Sequence, residues 1–222
     1  MYENRHFLEE VSVIFKWRDV MTEQEYDQML GIDTIGLKEF PLQLVHYNRY
    51  EATPYAALDE LFRSYELNYT DGVVDVGCGK GRLSFYVHHR FQLSVTGIEV
   101  NNQLYEDALS NKVSYMKKSH SKAGTLRFLC GPAEKYTIEP TDNRFYFFNP
   151  FSIQIFMRVV HHILLSVEQH KRAVDLILYY PTIEYIHFLE QNTSFELFKE
   201  VKVPELCEKD ENERFLIFRH ET

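Results

Sequence analysis

The chain has 222 residues, 45% of them hydrophobic and 26% charged, which fits one large domain or a domain with an extension and excludes wholesale disorder. Its formal net charge of −9 disfavours unaided attraction to a polyanion, and no apolar run approaches the roughly 18 residues of a membrane span. The acidity is uneven: residues 1–70 carry 6 Lys/Arg against 13 Asp/Glu, and residues 71–222 carry 18 against 20.

The N-terminus has Glu3, Glu9 and Glu10 and no basic segment leading into an apolar one, so no secretory signal is visible and a cytoplasmic protein is expected. Three cysteines, Cys78, Cys130 and Cys207, lie far apart with no C-x-x-C pair, which argues against a disulfide framework or structural zinc. The pairs His88-His89 and His161-His162 cannot each face one ligand within a helix, because neighbouring side chains point about 100° apart. No metal is expected.

From Phe7 to about Leu30 the apolar residues recur at helical spacing, predicting one or two helices. Gly31, Gly36 and Pro41 then mark a loop. Thr53 and Pro54 read as the N-cap and first position of a helix whose apolar face is Ala57, Leu58, Leu61, Phe62 and Tyr65.

The run Val73-Val74-Asp75-Val76-Gly77-Cys78-Gly79-Lys80-Gly81-Arg82 reads as a buried strand turning sharply into a helix. The glycines stand where a Cβ would strain the turn or keep a ligand from the backbone. A crevice with free N–H groups is expected there. The spacing is D-x-G-x-G-x-G, which is neither the dinucleotide fingerprint G-x-G-x-x-G nor a Walker A loop.

Beyond Gly81 the elements alternate. Helices are predicted over 83–90, 101–118, 153–170 and 183–190, and strands over 93–100, 125–130, 144–148 and 174–180. Two last strands, 195–203 and 214–220, are joined by an acidic loop too short for a helix. Alternation implies a parallel sheet wound on both faces. Lys112, Lys117, Lys118, Lys122 and Arg127 form a basic run with no acid between Asp107 and Glu134; a solvated helix end is the simpler reading, an acidic partner the other.

In such a sheet ligands lie beyond the carboxyl ends of the strands. Glu99 ends the second strand, where an acid can accept two ribose hydroxyls. Gly131-Pro132-Ala133-Glu134 follows the third, and Phe148-Asn149-Pro150-Phe151 follows the fourth.

Together the glycine loop, Glu99 and these turns resemble the class I S-adenosylmethionine-dependent methyltransferases, over about residues 48–220. In particular the chain is similar to a bacterial group with Y-E-x-T-P-Y, D-x-G-x-G-K-G-R and F-N-P-F segments. The resemblance implies an α/β fold: a doubly wound, mostly parallel seven-stranded sheet of the Rossmann-like methyltransferase type. It ends in an antiparallel hairpin and carries an N-terminal helical extension. Residues 1–66 would form that extension and cover the cleft, and residues 67–222 the cofactor-binding domain.

The implied cofactor is S-adenosyl-L-methionine. Its implied contacts are Tyr50, Thr53 and Pro54, then Asp75, Gly77, Cys78, Gly79 and Gly81, then Glu99 and Val100 at the ribose, Ala133 and Glu134 at the adenine, and Asn149. Pro132 departs from the family, where an Asp is common at this place, and supplies neither a side-chain acceptor nor an N–H.

Asn149-Pro150-Phe151 is similar to the N-P-P-[YF] motif of amino-methylating enzymes, one proline short, and to the N-N-F segment of the Dot1-type lysine methyltransferases. Asn149, Pro150 and Phe151 are therefore the expected catalytic turn, in which an Asn oxygen and a backbone carbonyl aim a nitrogen lone pair while a ring walls the substrate. The expected activity is N-methylation of an amine or amide on an unidentified protein, nucleic acid or small molecule. The alternative is a catalytically silent cofactor-binding sensor or partner subunit.

Overall fold

The computed structural model describes residues 21–36, 47–119 and 123–221. Most of the helical pattern expected before Leu30 lies outside them, as do residues 37–46, with Pro41 of the expected loop, and Lys122. The first described helix, α1 (Glu23–Leu30), is set by a reciprocal capping box of Thr22 and Glu25 and stopped by Gly31 in the left-handed conformation.

Helix α2 (Tyr55–Ser64) starts one residue later than its sequence suggests. Pro54 is the N-cap without a side-chain hydrogen bond, and the Tyr55 N–H donates instead to Glu23 of α1 at 3.0 Å. Thr53 does not cap this helix; its hydroxyl is buried against the Tyr146 hydroxyl at 2.6 Å.

The alternating region gives β1 (Gly72–Val76), α3 (Arg82–Phe91), β2 (Ser94–Glu99), α4 (Asn102–Lys118), β3 (Leu126–Cys130), β4 (Asp142–Phe148), α5 (Ile153–Gln169), β5 (Val174–Tyr179) and α6 (Ile183–Asn192). The chain closes with β6 (Glu196–Lys202) and β7 (Arg214–His220). Asn101 opens α4 by accepting the Gln103 and Leu104 N–H groups, so the turn after β2 is rigidly joined to its helix.

The seven strands are ordered β3-β2-β1-β4-β5-β7-β6, parallel from β3 to β5 and antiparallel at β7 and β6. The expected hairpin therefore inserts its second strand beside β5. Strand alternation splits the core in two. Val73, Val95, Phe128, Tyr146 and Ile177 pack beneath α2, α3 and α4 on one face, while Val74, Ile98, Phe147 and Leu178 pack against α5 and α6 on the other. Chain order reverses between β1 and β4, which opens a crevice at their carboxyl ends.

Among the described residues no helix is long and apolar enough to cross a membrane, and no group of three or more His, Cys, Asp or Glu is placed to hold a metal ion. The cysteines there are free: Cys78 buried, Cys130 exposed and Cys207 between. His88 is buried against the Tyr115 hydroxyl at 2.8 Å. The basic run is partly consumed by the fold, since Lys118 donates to the Gln28 carbonyl and Arg127 to Thr96 and Tyr136.

Candidate functional site

A cleft lies at the carboxyl ends of β1, β2 and β4. Its walls include Gly77, Gly79, Glu99, Val100, Ala133 and Gly131, with Pro150 and Phe151 on the β4 side and Tyr47 to Glu51 across the top. A second cavity, lined by Asn149, Phe148, Tyr180, Asp210 and Glu213, shares Asn48, Arg49, Glu51 and Phe148 with the first.

Gly77 and Gly79 have φ of +79° and +55°. A Cβ at Gly77 would meet Pro150 Cβ at 2.5 Å, and one at Gly79 would run into the Tyr50 ring. Both positions thus require glycine for conformation and for closeness. Gly81 has a different neighbourhood: a Cβ there would meet Phe128 and Phe85, so it serves the join between loop and core.

The expectation of free loop N–H groups is corrected. Gly77 and Cys78 both donate to the Ile98 carbonyl at 2.9 and 3.0 Å, Gly79 donates to Glu99 Oε2 at 2.8 Å, and Gly81 donates to the Cys78 carbonyl. The loop is thereby pinned to β2, and its acceptor is a carboxylate rather than an incoming anion.

Glu99 is 4% exposed. Its other oxygen, Oε1, accepts the Asn101 N–H at 2.8 Å. Burial raises its pKa, and the N–H groups of Asn101, Gly79 and Val100 oppose that rise. With three N–H donors on about four lone-pair sites, the carboxylate keeps acceptor capacity for a further donor. Asp75, also buried, accepts from the Ser84 hydroxyl at 2.7 Å, and burial pushes its carboxyl up to about 7.

Asp75, Cys78, Gly81, Thr53 and Pro54 are not among the residues that line the cleft. Glu134 lies just outside it, with Oε2 buried and without a hydrogen-bond partner and Oε1 3.9 Å from Arg158. Asn149 turns its left-handed backbone, φ +39°, at the boundary of the two cavities, and its carbonyl accepts from Asn48 Nδ2 at 2.6 Å. Phe151 is buried, edge-on to Tyr47 and Phe147, and bridges to Tyr47 through the backbone.

Sequence reasoning missed Tyr47, Asn48 and Arg49 as wall residues. Nothing in their local pattern distinguishes them; only the bridge to Phe151 brings them over the cleft. It also read Arg82 only as a departure from a dinucleotide loop. Arg82 is buried, donates to Thr34 at 2.7 Å, to the Thr53 carbonyl at 3.1 Å and to Glu23, and stacks on Tyr55. Lys80 likewise donates to the Ile35 carbonyl at 2.9 Å. The two loop cations hold the 21–36 segment rather than facing the cleft.

Residues 54–139 match the family model described as Methyltransferase domain. No curated protein shows significant sequence similarity to the chain. Among solved structures, an RNA methyltransferase from Salinibacter ruber, crystallised with S-adenosyl-L-homocysteine, is 14% identical with a TM-score of 0.53, covering 76% of this chain and 92% of that one. TrmN from Thermus thermophilus is 15% identical at TM-score 0.51, over 75% of this chain and 48% of its own. The tRNA (uracil-54, C5)-methyltransferase of Pyrococcus abyssi is 14% identical at 0.51, over 77% and 39%. With the strand order and the cleft, these show the fold of the class I S-adenosylmethionine-dependent methyltransferases, and residues 54–139 match that family's domain model.

The residues present fit S-adenosylmethionine. Gly77 and Gly79 bring the loop backbone to the cleft wall, and the buried Glu99 carboxylate beside them keeps acceptor capacity for a hydroxyl donor.

Proposed function

We propose that the protein transfers a methyl group from S-adenosylmethionine to a nitrogen nucleophile. The observation that carries this reading is Glu99, a buried carboxylate with unspent lone pairs beside the glycine cradle at the strand-order switch. When bound, the cofactor supplies an electrophilic methyl carbon on a sulfonium.

The chain's own residues orient and exclude water. Glu99 holds the ribose, Gly77 and Gly79 admit the methionine moiety, Tyr50 covers it, and Ala133 with Glu134 reads the adenine. Val100 walls the ribose end. Asp75, Cys78, Gly81, Thr53 and Pro54 act from behind by fixing the loop and α2. Asn149 accepts a hydrogen of the acceptor nitrogen through its side chain, Phe151 and Pro150 shape the turn, and the proton leaves to water. Because the family match begins at residue 54, α2 is read with the cofactor domain, and the described segments before it are read as the cover.

The relatives named as RNA or tRNA methyltransferases support testing RNA first as the acceptor. Glu51, Asp210 and Glu213 around the second cavity weigh instead toward a neutral or basic acceptor. The silent-sensor reading draws support from Asn48, which already occupies the Asn149 carbonyl that an acceptor amine would use.

The test has two stages. Calorimetric titration with S-adenosylhomocysteine is expected to give a saturable heat that Glu99→Ala weakens. Incubation with S-adenosylmethionine and RNA, DNA, protein and metabolite fractions is then expected to release S-adenosylhomocysteine with one of them. Binding without release in every fraction supports the sensor, and absence of binding overturns the whole reading.

A further inference from the structure

The segment Tyr47–Glu51 crosses both cavities, and its attachments run in two directions. Toward the cofactor cleft, the Tyr50 ring lies against Gly79, is 6% exposed, and donates its hydroxyl to the Thr34 carbonyl at 2.7 Å. Thr34 is held by Asp27 and by Arg82 of α3. Toward the β4 turn, the Asn48 N–H donates to the Pro150 carbonyl at 3.1 Å, and Asn48 Nδ2 donates to the Asn149 carbonyl at 2.6 Å.

Glu99 is almost wholly covered, and the strap forms part of the wall of its cleft. Asn149 sits at φ +39°, in the left-handed region that Asn enters more readily than most non-glycine residues, and its surroundings hold it there. Asn48 provides the two hydrogen bonds from the strap to that turn.

We infer that the strap couples the two cavities: the cofactor, held under Tyr50, fixes the strap, and the strap through Asn48 fixes the backbone of the Asn149 turn. Asn48 is then a positioning residue for the acceptor side, acting through Asn149. The inference rests on the cofactor reading above.

Amide hydrogen exchange, followed by mass spectrometry with and without S-adenosylhomocysteine, tests this without any acceptor. In the wild-type chain the ligand is expected to slow exchange about tenfold or more at 77–81, at 47–51 and at 148–152. In Asn48→Ala the protection at 77–81 is expected to persist while that at 148–152 is lost. Asn48→Asp keeps the backbone N–H and the side-chain size but cannot donate to Asn149, so it carries the same test if the alanine variant does not fold. Equal protection of 148–152 in wild type and in a folded, ligand-binding Asn48 variant overturns the coupling. No protection anywhere in the wild type overturns the cofactor reading and the coupling with it.

Discussion

The two ends of the sheet treat buried carboxylates in opposite ways. At the amino ends of the strands, Asp175 is fully buried and receives two hydrogen bonds from Arg219 at 2.7 and 2.8 Å, with the Tyr65 hydroxyl on it and Arg144 3.8 Å away. Asp71 pairs with Arg144 at 3.1 Å. At the carboxyl ends, Asp75 and Glu99 are buried with only hydroxyl or N–H donors, and neither forms an ion pair among the described residues. The scaffold end pairs Asp71 and Asp175 with arginines; Asp142, held by the Tyr136 hydroxyl and the Glu139 N–H, is its exception. The cleft end leaves its acids uncompensated, which raises their pKa and keeps acceptor capacity in reserve for a ligand.

The largest effect is expected at the scaffold end. Asp175→Ala leaves Arg219 and Arg144 without their shared acceptor in a buried setting, which costs about 3–5 kcal/mol. Urea unfolding measures it, and the folded fraction should bind S-adenosylhomocysteine as the wild type does. A loss below about 1 kcal/mol would show that the network is no more than a surface-type pairing.

The cleft end should reveal itself through pH. Asp75 has a folded-state pKa of about 7, above its ordinary carboxylate value, so the folded chain binds more protons than the unfolded one between the two. Its contribution is therefore complete below about pH 4 and is lost as pH rises through 7. Glu99, raised in the same direction, adds to the decline. Asp75→Asn, which keeps an acceptor for Ser84 but cannot ionise, should flatten much of the fall in stability between pH 4 and 8. An unchanged pH profile would mean that Asp75 is ionised throughout.

Much of this contrast was legible in the sequence, for identifiable reasons. The alternation Val73/Val74 and the periodicity of α5 set the layers, and Gly77, Gly79 and Glu99 stand at the cleft because strand ends and loop geometry are local properties. Of the strap only Tyr50 was legible, through the family resemblance. Tyr47 and Asn48 act across about a hundred residues of chain, through a bridge to Phe151 and a bond to Asn149, and local pattern holds no record of such pairing. Thr53 and Pro54 misled by a different route. Their capping signal is real, but burial against Tyr146 and the donor contact from Tyr55 to Glu23 outcompeted it.

A smaller effect, confined to the ligand, is expected for Glu99→Ala. Losing a charged acceptor for two ribose hydroxyls should weaken S-adenosylhomocysteine binding by about 1.5–3 kcal/mol, or roughly 10- to 150-fold. Because burial of the charge opposes folding, the variant should melt no lower than the wild type by more than the cost of two released N–H groups. An unchanged dissociation constant removes Glu99 from the site.

The smallest change sharpens the comparison most. Tyr50→Phe removes one hydroxyl, its bond to the Thr34 carbonyl and nothing else, a loss of about 0.5–1.5 kcal/mol. If the cleft end were built like the scaffold end, that loss would appear in global unfolding, as a shift of the urea midpoint. If the strap opens on its own, below the free energy of global unfolding, the loss appears locally. Exchange at 47–51 should then quicken by about 2- to 13-fold while the urea midpoint barely moves, and S-adenosylhomocysteine should dissociate faster by a similar factor. A shifted midpoint with unchanged exchange at 47–51 would make Tyr50 an ordinary part of the core, and the strap no more separable from the fold than Asp175 is.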